Sequence, residues 1–349
     1  MRALAFIALA AGVYVVGAVC VVQIAGRSKR RKASLKKRFP YSLTNIAHRG
    51  GSLLGPENTL FTFTRAVRDG LCDMIELDVR ESQDGEVVVC HDHTLERTCG
   101  PKYAGVSVAN VVVGGDPSQT LPQSQRTIKL EFATQELSQF EASESVPVDD
   151  TTRICLLKEV LEMFPRVPLH VDIKDTSKPF VYAVLNLIAL HNRESTTFIG
   201  SSSQQNQQFI NDYFAEKGAE VRKRYRIFAG PRDFFRTHLL FYTGLLPFFS
   251  VNYDVFSIPV FTTTMKAGAV QHFGKVLGNV ATFVLSSPVL WRYLESRGVA
   301  VIGWNFNDEL DILQALGWPL NGVMSDDPLK VRRVMVENKD AVRLYVLGD

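Results

Sequence analysis

Residues Ile46 to Gly100 read IAHRGGSLLGPENTLFTFTRAVRDGLCDMIELDVRESQDGEVVVCHDHTLERTCG, and the fold is decided by how apolar and ionisable positions alternate in them. Short apolar runs at Asn45 to Ala47, Asp73 to Val79 and Glu86 to Cys90 carry the signature of strands. Between the first two, Leu60, Phe61, Phe63, Ala66 and Val67 recur at helical spacing and the pattern stops at Gly70, with Pro56 placed to open the helix and Glu57 at its positive end. The segment therefore predicts strand, helix, strand, strand.

The ends of those strands collect the charged groups. His48 and Arg49 close the first run, Glu76 and Asp78 sit two apart on the second, and His91 closes the third. Residues i and i+2 of a strand share a face, so the two carboxylates point the same way. Held side by side they repel unless a cation lies between them, and an all-oxygen site suits Mg²⁺ or Ca²⁺. Two histidines nearby supply an acid and a base close to neutral pH, and Arg49 offers a planar fork to a phosphate. The bland reading of the acids is a solvated strand face. Against it, the residues alternating with Glu76 and Asp78 are Ile75, Leu77 and Val79, which belong in a packed sheet.

These residues resemble the glycerophosphodiester phosphodiesterase family. Its HRG, PENT, E-x-D, DG and HD elements stand here, in order and at family spacing, as His48-Arg49-Gly50, Pro56-Glu57-Asn58-Thr59, Glu76-Leu77-Asp78, Asp84-Gly85 and His91-Asp92. The resemblance implies a TIM (β/α)8 barrel over residues 45–330 with its site at the carboxyl ends of the strands. Strand and helix patterns alternating from Ile46 onward independently favour one α/β domain.

Upstream, Ala3 to Ile24 is an uncharged apolar stretch, long enough to cross a hydrocarbon core of about 30 Å. It predicts a transmembrane anchor over 1–26, followed by a basic juxtamembrane linker over 27–44; a cleaved signal peptide is the competing reading. Residues 1–38 hold nine basic and no acidic residues, so the net charge of +3 hides an acidic catalytic part. That split argues against a nucleic-acid partner and for contact with anionic membrane lipid. By the positive-inside rule the domain would face the cytosol, and the resemblance implies an endoplasmic reticulum membrane. Cys20, Cys72, Cys90, Cys99 and Cys155 form no metal-spaced pair and read as reduced packing residues, with a Cys72 to Cys99 bridge left open.

Downstream, residues 101–150 dissolve into Gly, Pro, Ser, Gln and Thr and are expected to form an irregular cap over the active face. Order returns with a helix at Leu156 to Phe164 and a strand at Val167 to Lys174, then a strand at Thr196 to Ser201 and a Gln-rich helix. Residues 231–262 read as an apolar insertion, either ordinary core or a segment that dips into a membrane interface. With a strand-like run near Ile258 to Phe261 inside that stretch, Val299 to Phe306 and Asn321 to Asp326 complete a count of eight strands, leaving 331–349 as a C-terminal tail.

Residue by residue, the resemblance implies that Asp172, where the family commonly has Glu, is the third ligand of one divalent cation, Mg²⁺ or Ca²⁺, beside Glu76 and Asp78. Lys174 and Arg49 would bind phosphate, and His48 and His91 would be base and acid. Trp304 would line the substrate pocket, although Asn305 replaces the family's usual Thr. His170 is read as structural. The chain also resembles the membrane-anchored mammalian subgroup that acts as lysophospholipase D, which implies a lysophospholipid substrate and release of choline, ethanolamine or N-acylethanolamine. Two other readings stay open: a hydrolase of water-soluble glycerophosphodiesters, and a membrane-tethered pseudoenzyme scaffold.

Overall fold

A computed structural model describes residues 35–114, 121–125, 146–262, 266–267, 270–271 and 274–338. The expected anchor over 1–26, residues 27–34 of the linker, the centre of the cap and the end of the tail lie outside them. No helix among the described residues is long and apolar enough to cross a membrane.

Eight parallel strands form a nearly closed barrel: β1 (Asn45–Ala47), β2 (Met74–Glu81), β4 (Leu169–Ile173), β5 (Thr197–Gly200), β6 (Arg226–Ile227), β7 (Val255–Pro259), β8 (Ala300–Trp304) and β9 (Gly322–Ser325). Their order runs β6-β5-β4-β2-β1-β9-β8-β7. The two ends meet through a parallel bridge of Phe228 with Val255, where the Ala229 N–H donates to the Val255 carbonyl at 2.8 Å. Buried Asp254 pins this seam by accepting from the Ile227 N–H at 2.8 Å and pairing with Arg222 at 3.0 Å and with Arg38. Inside the barrel, Ile46, Met74, Phe198, Phe228, Ala300, Ile302 and Met324 pack together, and Leu35, Phe39 and Leu43 from the chain ahead of β1 join the same cluster.

The strand count is right but its membership is not. β3 (Val87–Val89) is antiparallel to β2 and stands off the barrel path. The reason is local: Asp84-Gly85, with Gly85 at φ 82°, turns the chain straight back, and a parallel return would need a crossover of a dozen residues or more. The strand missing from the sequence reading is β6, whose two residues are too few to show any period. The first helix, Leu60–Arg68, buries Thr62, Phe63 and Ala66 and is capped by Thr59, so neither Pro56 nor Glu57 serves as its cap.

Two further expectations are corrected. Residues 231–262 are no insertion but barrel: helix Pro231–Tyr242 follows β6, and β7 completes the stretch. The tail begins later than 331, because helix Pro328–Glu337 buries Val331, Val334 and Met335 against the core. The described parts of the cap are more ordered than their composition suggests. Val108 joins Val88, Cys90, Leu95, Cys99, Ile154 and Leu156 from the flanking chain in a small second core, with Tyr103, Val106 and Leu121 packed on it. Cys72, Cys90, Cys99 and Cys155 are free thiols.

Candidate active site

The register of the strands builds the site. β1 lies between β2 and β9, pairing Ala47 with Ile75 on one side and with Ser325 on the other. One residue further on, His48 therefore meets Glu76 and Asp326. The turn His48–Gly50 closes there because Gly50 and Gly51 adopt φ of 80° and 87°, which glycine does without strain. Between β2 and β4, Asp78 is the direct partner of Asp172, and Glu76 of His170. His48, Arg49, Glu76, Asp78, His91, His170, Asp172, Lys174 and Trp304 all line one cavity of about 340 Å³ at the carboxyl ends of the strands.

His48 is held from behind. Its Nδ1 lies 2.7 Å from Asp326 Oδ1, and Asp326 is itself fixed by donors from Ser52 at 2.8 Å and Asn307 at 2.7 Å. With Nδ1–H donated to Asp326, Nε2 is left toward Glu76 Oε2, 3.9 Å away. The Asn305 amide contacts the same ring at 3.0 Å. Burial alone would push His48 down, but the Asp326 and Glu76 carboxylates outweigh it and hold the imidazole above its ordinary value. Burial opposes ionisation of Asp326 as well, yet His48 and the hydrogen bonds keep it below the usual carboxylate range.

His91 sits on the hairpin, just past β3, rather than on a barrel strand. Its Nδ1 lies 2.7 Å from Asp92 Oδ1, and its carbonyl accepts from Arg80 Nε at 2.9 Å. Asp92 pairs in turn with Arg97, which grips Glu57 through two hydrogen bonds of 2.6 Å, and Glu57 lies 3.5 Å from Arg49. Glu57 and Asn58 thus brace the site, Asn58 donating to Asp78 Oδ2 at 3.1 Å.

The acids divide by environment. Burial, reinforced by the charge of Asp78, pushes Glu76 up to about 8, although its Oε2 accepts from the Arg49 N–H at 2.7 Å. Asp78 is equally buried, but Lys174, His91 and Arg49 pull it far down. Burial raises Asp172. Lys174 Nζ stands between the two aspartates, 3.0 Å from Asp78 and 2.7 Å from Asp172. The donor set suits a hard cation: it is all oxygen, and Asp172 Oδ1 is buried without a hydrogen-bond partner. It is not gathered tightly around one, since among the described residues no three His, Cys, Asp or Glu side chains are grouped to hold a metal ion.

A sequence model described as the glycerophosphoryl diester phosphodiesterase family matches residues 48–217. Human lysophospholipase D GDPD1 is 30% identical over 300 residues, which cover 85% of this chain and 87% of the relative. The chain belongs to the glycerophosphodiester phosphodiesterase family. As a member it is a phosphodiester hydrolase. Mouse lysophospholipase D GDPD3 is 27% identical over 86% of this chain and 84% of its own length. Among solved structures, the glycerophosphodiester phosphodiesterase of Agrobacterium tumefaciens superimposes with a TM-score of 0.53 at 18% identity, covering 84% of this chain and 99% of its own. An Oleispira antarctica phosphodiesterase in complex with the product sn-glycerol-3-phosphate gives 0.53 at 17%, covering 86% and 99%. These likenesses show the barrel.

In this phosphodiesterase every site residue expected from the sequence faces the common cavity. Asp326, Asn305, Asp92 and Arg97, which touch or brace the two histidines, are not among the expected site residues. For Asp92 a signal existed, since it stands inside the matched His91-Asp92 element, and Asp326 closes the last strand expected from the sequence. Arg97 and Asn305 act through contacts that no spacing announces. His170, read as structural, is buried and stacks on Phe228 with ring centroids 4.5 Å apart, yet it also lines the cavity.

Proposed function

We propose that this phosphodiesterase is a lysophospholipase D, releasing the head group of a lysophospholipid to leave lysophosphatidic acid. The observation that carries the reading is the placement of two carboxylate-backed imidazoles, His48 with Asp326 and His91 with Asp92, on one cavity that also presents Arg49 and Lys174. Phe228, Pro231, Phe234 and Trp304 add apolar wall to the same cavity, which suits the glycerol and first acyl carbons of a lipid better than a freely soluble diester.

His48 takes the proton of the substrate's free glycerol hydroxyl, whose oxygen attacks phosphorus. His91 protonates the departing head-group oxygen, and a water then opens the cyclic phosphate with the two roles exchanged. Arg49 and Lys174 neutralise charge on the equatorial oxygens. Glu76, Asp78 and Asp172 would hold one Mg²⁺ or Ca²⁺, and such an ion supplies Lewis-acid polarisation of a phosphate oxygen. Lys174 would then share the aspartates with that ion.

The test is head-group release from lysophosphatidylcholine and from glycerophosphocholine by chelated protein, with Mg²⁺ or Ca²⁺ added back. Preference for the lysolipid, restored by one of the ions, supports the reading; faster turnover of glycerophosphocholine would assign the enzyme to soluble diesters. A 2-deoxy lysolipid reacting as fast as its parent would exclude the cyclic route.

A further inference from the structure

One apolar face is left uncovered beside the cavity. Helix Pro231–Tyr242 and the turn after it expose Phe235 (70%), Leu239 (65%) and Phe248 (80%), and helix Lys275–Leu285 exposes Leu277, Val280 and Phe283 (73%). These two segments supply more than half of the large hydrophobic side chains exposed among the described residues. They form one surface: Tyr242 Oη donates to the Val284 carbonyl at 2.9 Å, and its ring lies 6.2 Å from that of Phe283.

The helix is apolar on both sides for different reasons. Phe241 and His238 face the core, while Phe235 and Leu239, one turn apart, face out. Its first turn opens on the cavity, whose lining includes Pro231 and Phe234, so the exposed surface and the cavity wall meet within a single turn. Arg232 and Lys275 are exposed at the ends of the two helices, and the Arg236 guanidinium lies 5.5 Å over the ring of Phe249. Aromatic and leucine side chains flanked by cations are the composition of a helix lying in a lipid interface.

We propose that this face is a membrane-contact surface that seats Phe235, Phe248 and Phe283 at the acyl boundary and passes lipid to the cavity along Phe234 and Pro231. The chain itself points to a bilayer as the occupant. Ala3 to Ile24 is apolar enough to enter one, and the residues from there to Leu35 span at most roughly 35 Å when extended, so the barrel is tethered within that reach of the same bilayer. Lipid delivery rests on the lysophospholipase D reading; docking does not.

Two arms separate them. The full-length chain in phosphatidylcholine–phosphatidylserine vesicles is labelled with an environment-sensitive fluorophore at Phe248→Cys, Phe283→Cys or Leu190→Cys, against the labelling background of its own cysteines. Blue-shifted emission, quenched by lipid carrying a spin label on the acyl chain, is expected at the first two positions and not at Leu190, which is exposed on another helix. Equal behaviour at all three overturns docking. A blue shift without lipid quenching also overturns it and assigns the face to a second copy of the chain. In the other arm, Leu239→Asp, Phe248→Asp and Phe283→Asp together should slow turnover of vesicle-borne lysophosphatidylcholine about tenfold and leave glycerophosphocholine turnover unchanged. Unchanged turnover of both, or equal loss of both, overturns delivery. A parent enzyme that turns over no lysolipid would defeat the functional reading while leaving the quenching result standing.

Discussion

Asp326 shows how one buried carboxylate sets the working range of a histidine. Because it helps hold His48 above 6.5, and a base acts only when neutral, the acid limb of kcat/KM should rise at a pH above that value. Asp326→Asn removes the charge, so His48 falls and the limb moves to lower pH, while kcat drops about 100-fold as the ring loses its orientation. A pH–rate profile reads both, and an unmoved limb would exclude His48 as the base. His91→Ala should abolish head-group release with the thermal unfolding midpoint nearly unchanged, since the imidazole is partly exposed and contributes little packing; circular dichroism beside the assay checks the pair of outcomes. Legibility differs sharply among these residues. His48, Glu76 and Asp78 announce themselves by strand-end position and alternation, whereas Arg97 reaches Glu57 across forty positions of sequence and nothing local marks it.

The turn His48–Gly50 and the β2–β3 hairpin are the elements that aim the chemistry. A Cβ on Gly50 would stand 2.4 Å from the Phe63 ring, at a φ of 80° that side chains rarely adopt. Gly50→Ala should therefore cost about 2 to 4 kcal/mol, from the left-handed backbone and the overpacking together, and displace His48 and Arg49. Urea unfolding measures the loss; a stability within 0.5 kcal/mol of the parent would mean that Phe63 yields freely. The strands flanking the site were readable because their alternation is strong and their ends are charged. β3 was readable as a strand but not as an outsider to the barrel, since direction depends on the Asp84-Gly85 turn rather than on the apolar run. β6 carries too little sequence to signal at all.

Across the whole molecule, closure depends on a single seam. β6 meets β7 through a few backbone bonds, and Asp254 joins them to Arg222 and to Arg38 from the chain ahead of β1. Asp254→Ala leaves the partly exposed Arg38 and Arg222 without their anion and frees the Ile227 N–H, so a loss of about 1 to 3 kcal/mol is expected. Hydrogen exchange should localise the opening to β6 and β7; protection lost evenly over all strands would refute a local seam. The two imidazoles also come from different elements. His48 stands at the end of β1, whereas His91 stands just past β3, which is laddered to β2, buries Val87 and Val89 in the barrel's own cluster and packs Val88 into the small second core, with Arg80 and Arg97 as further ties. With His91 as the proposed acid, substitutions in the small second core or at Arg97 are therefore expected to change which alcohols are expelled before they change how the phosphate is held.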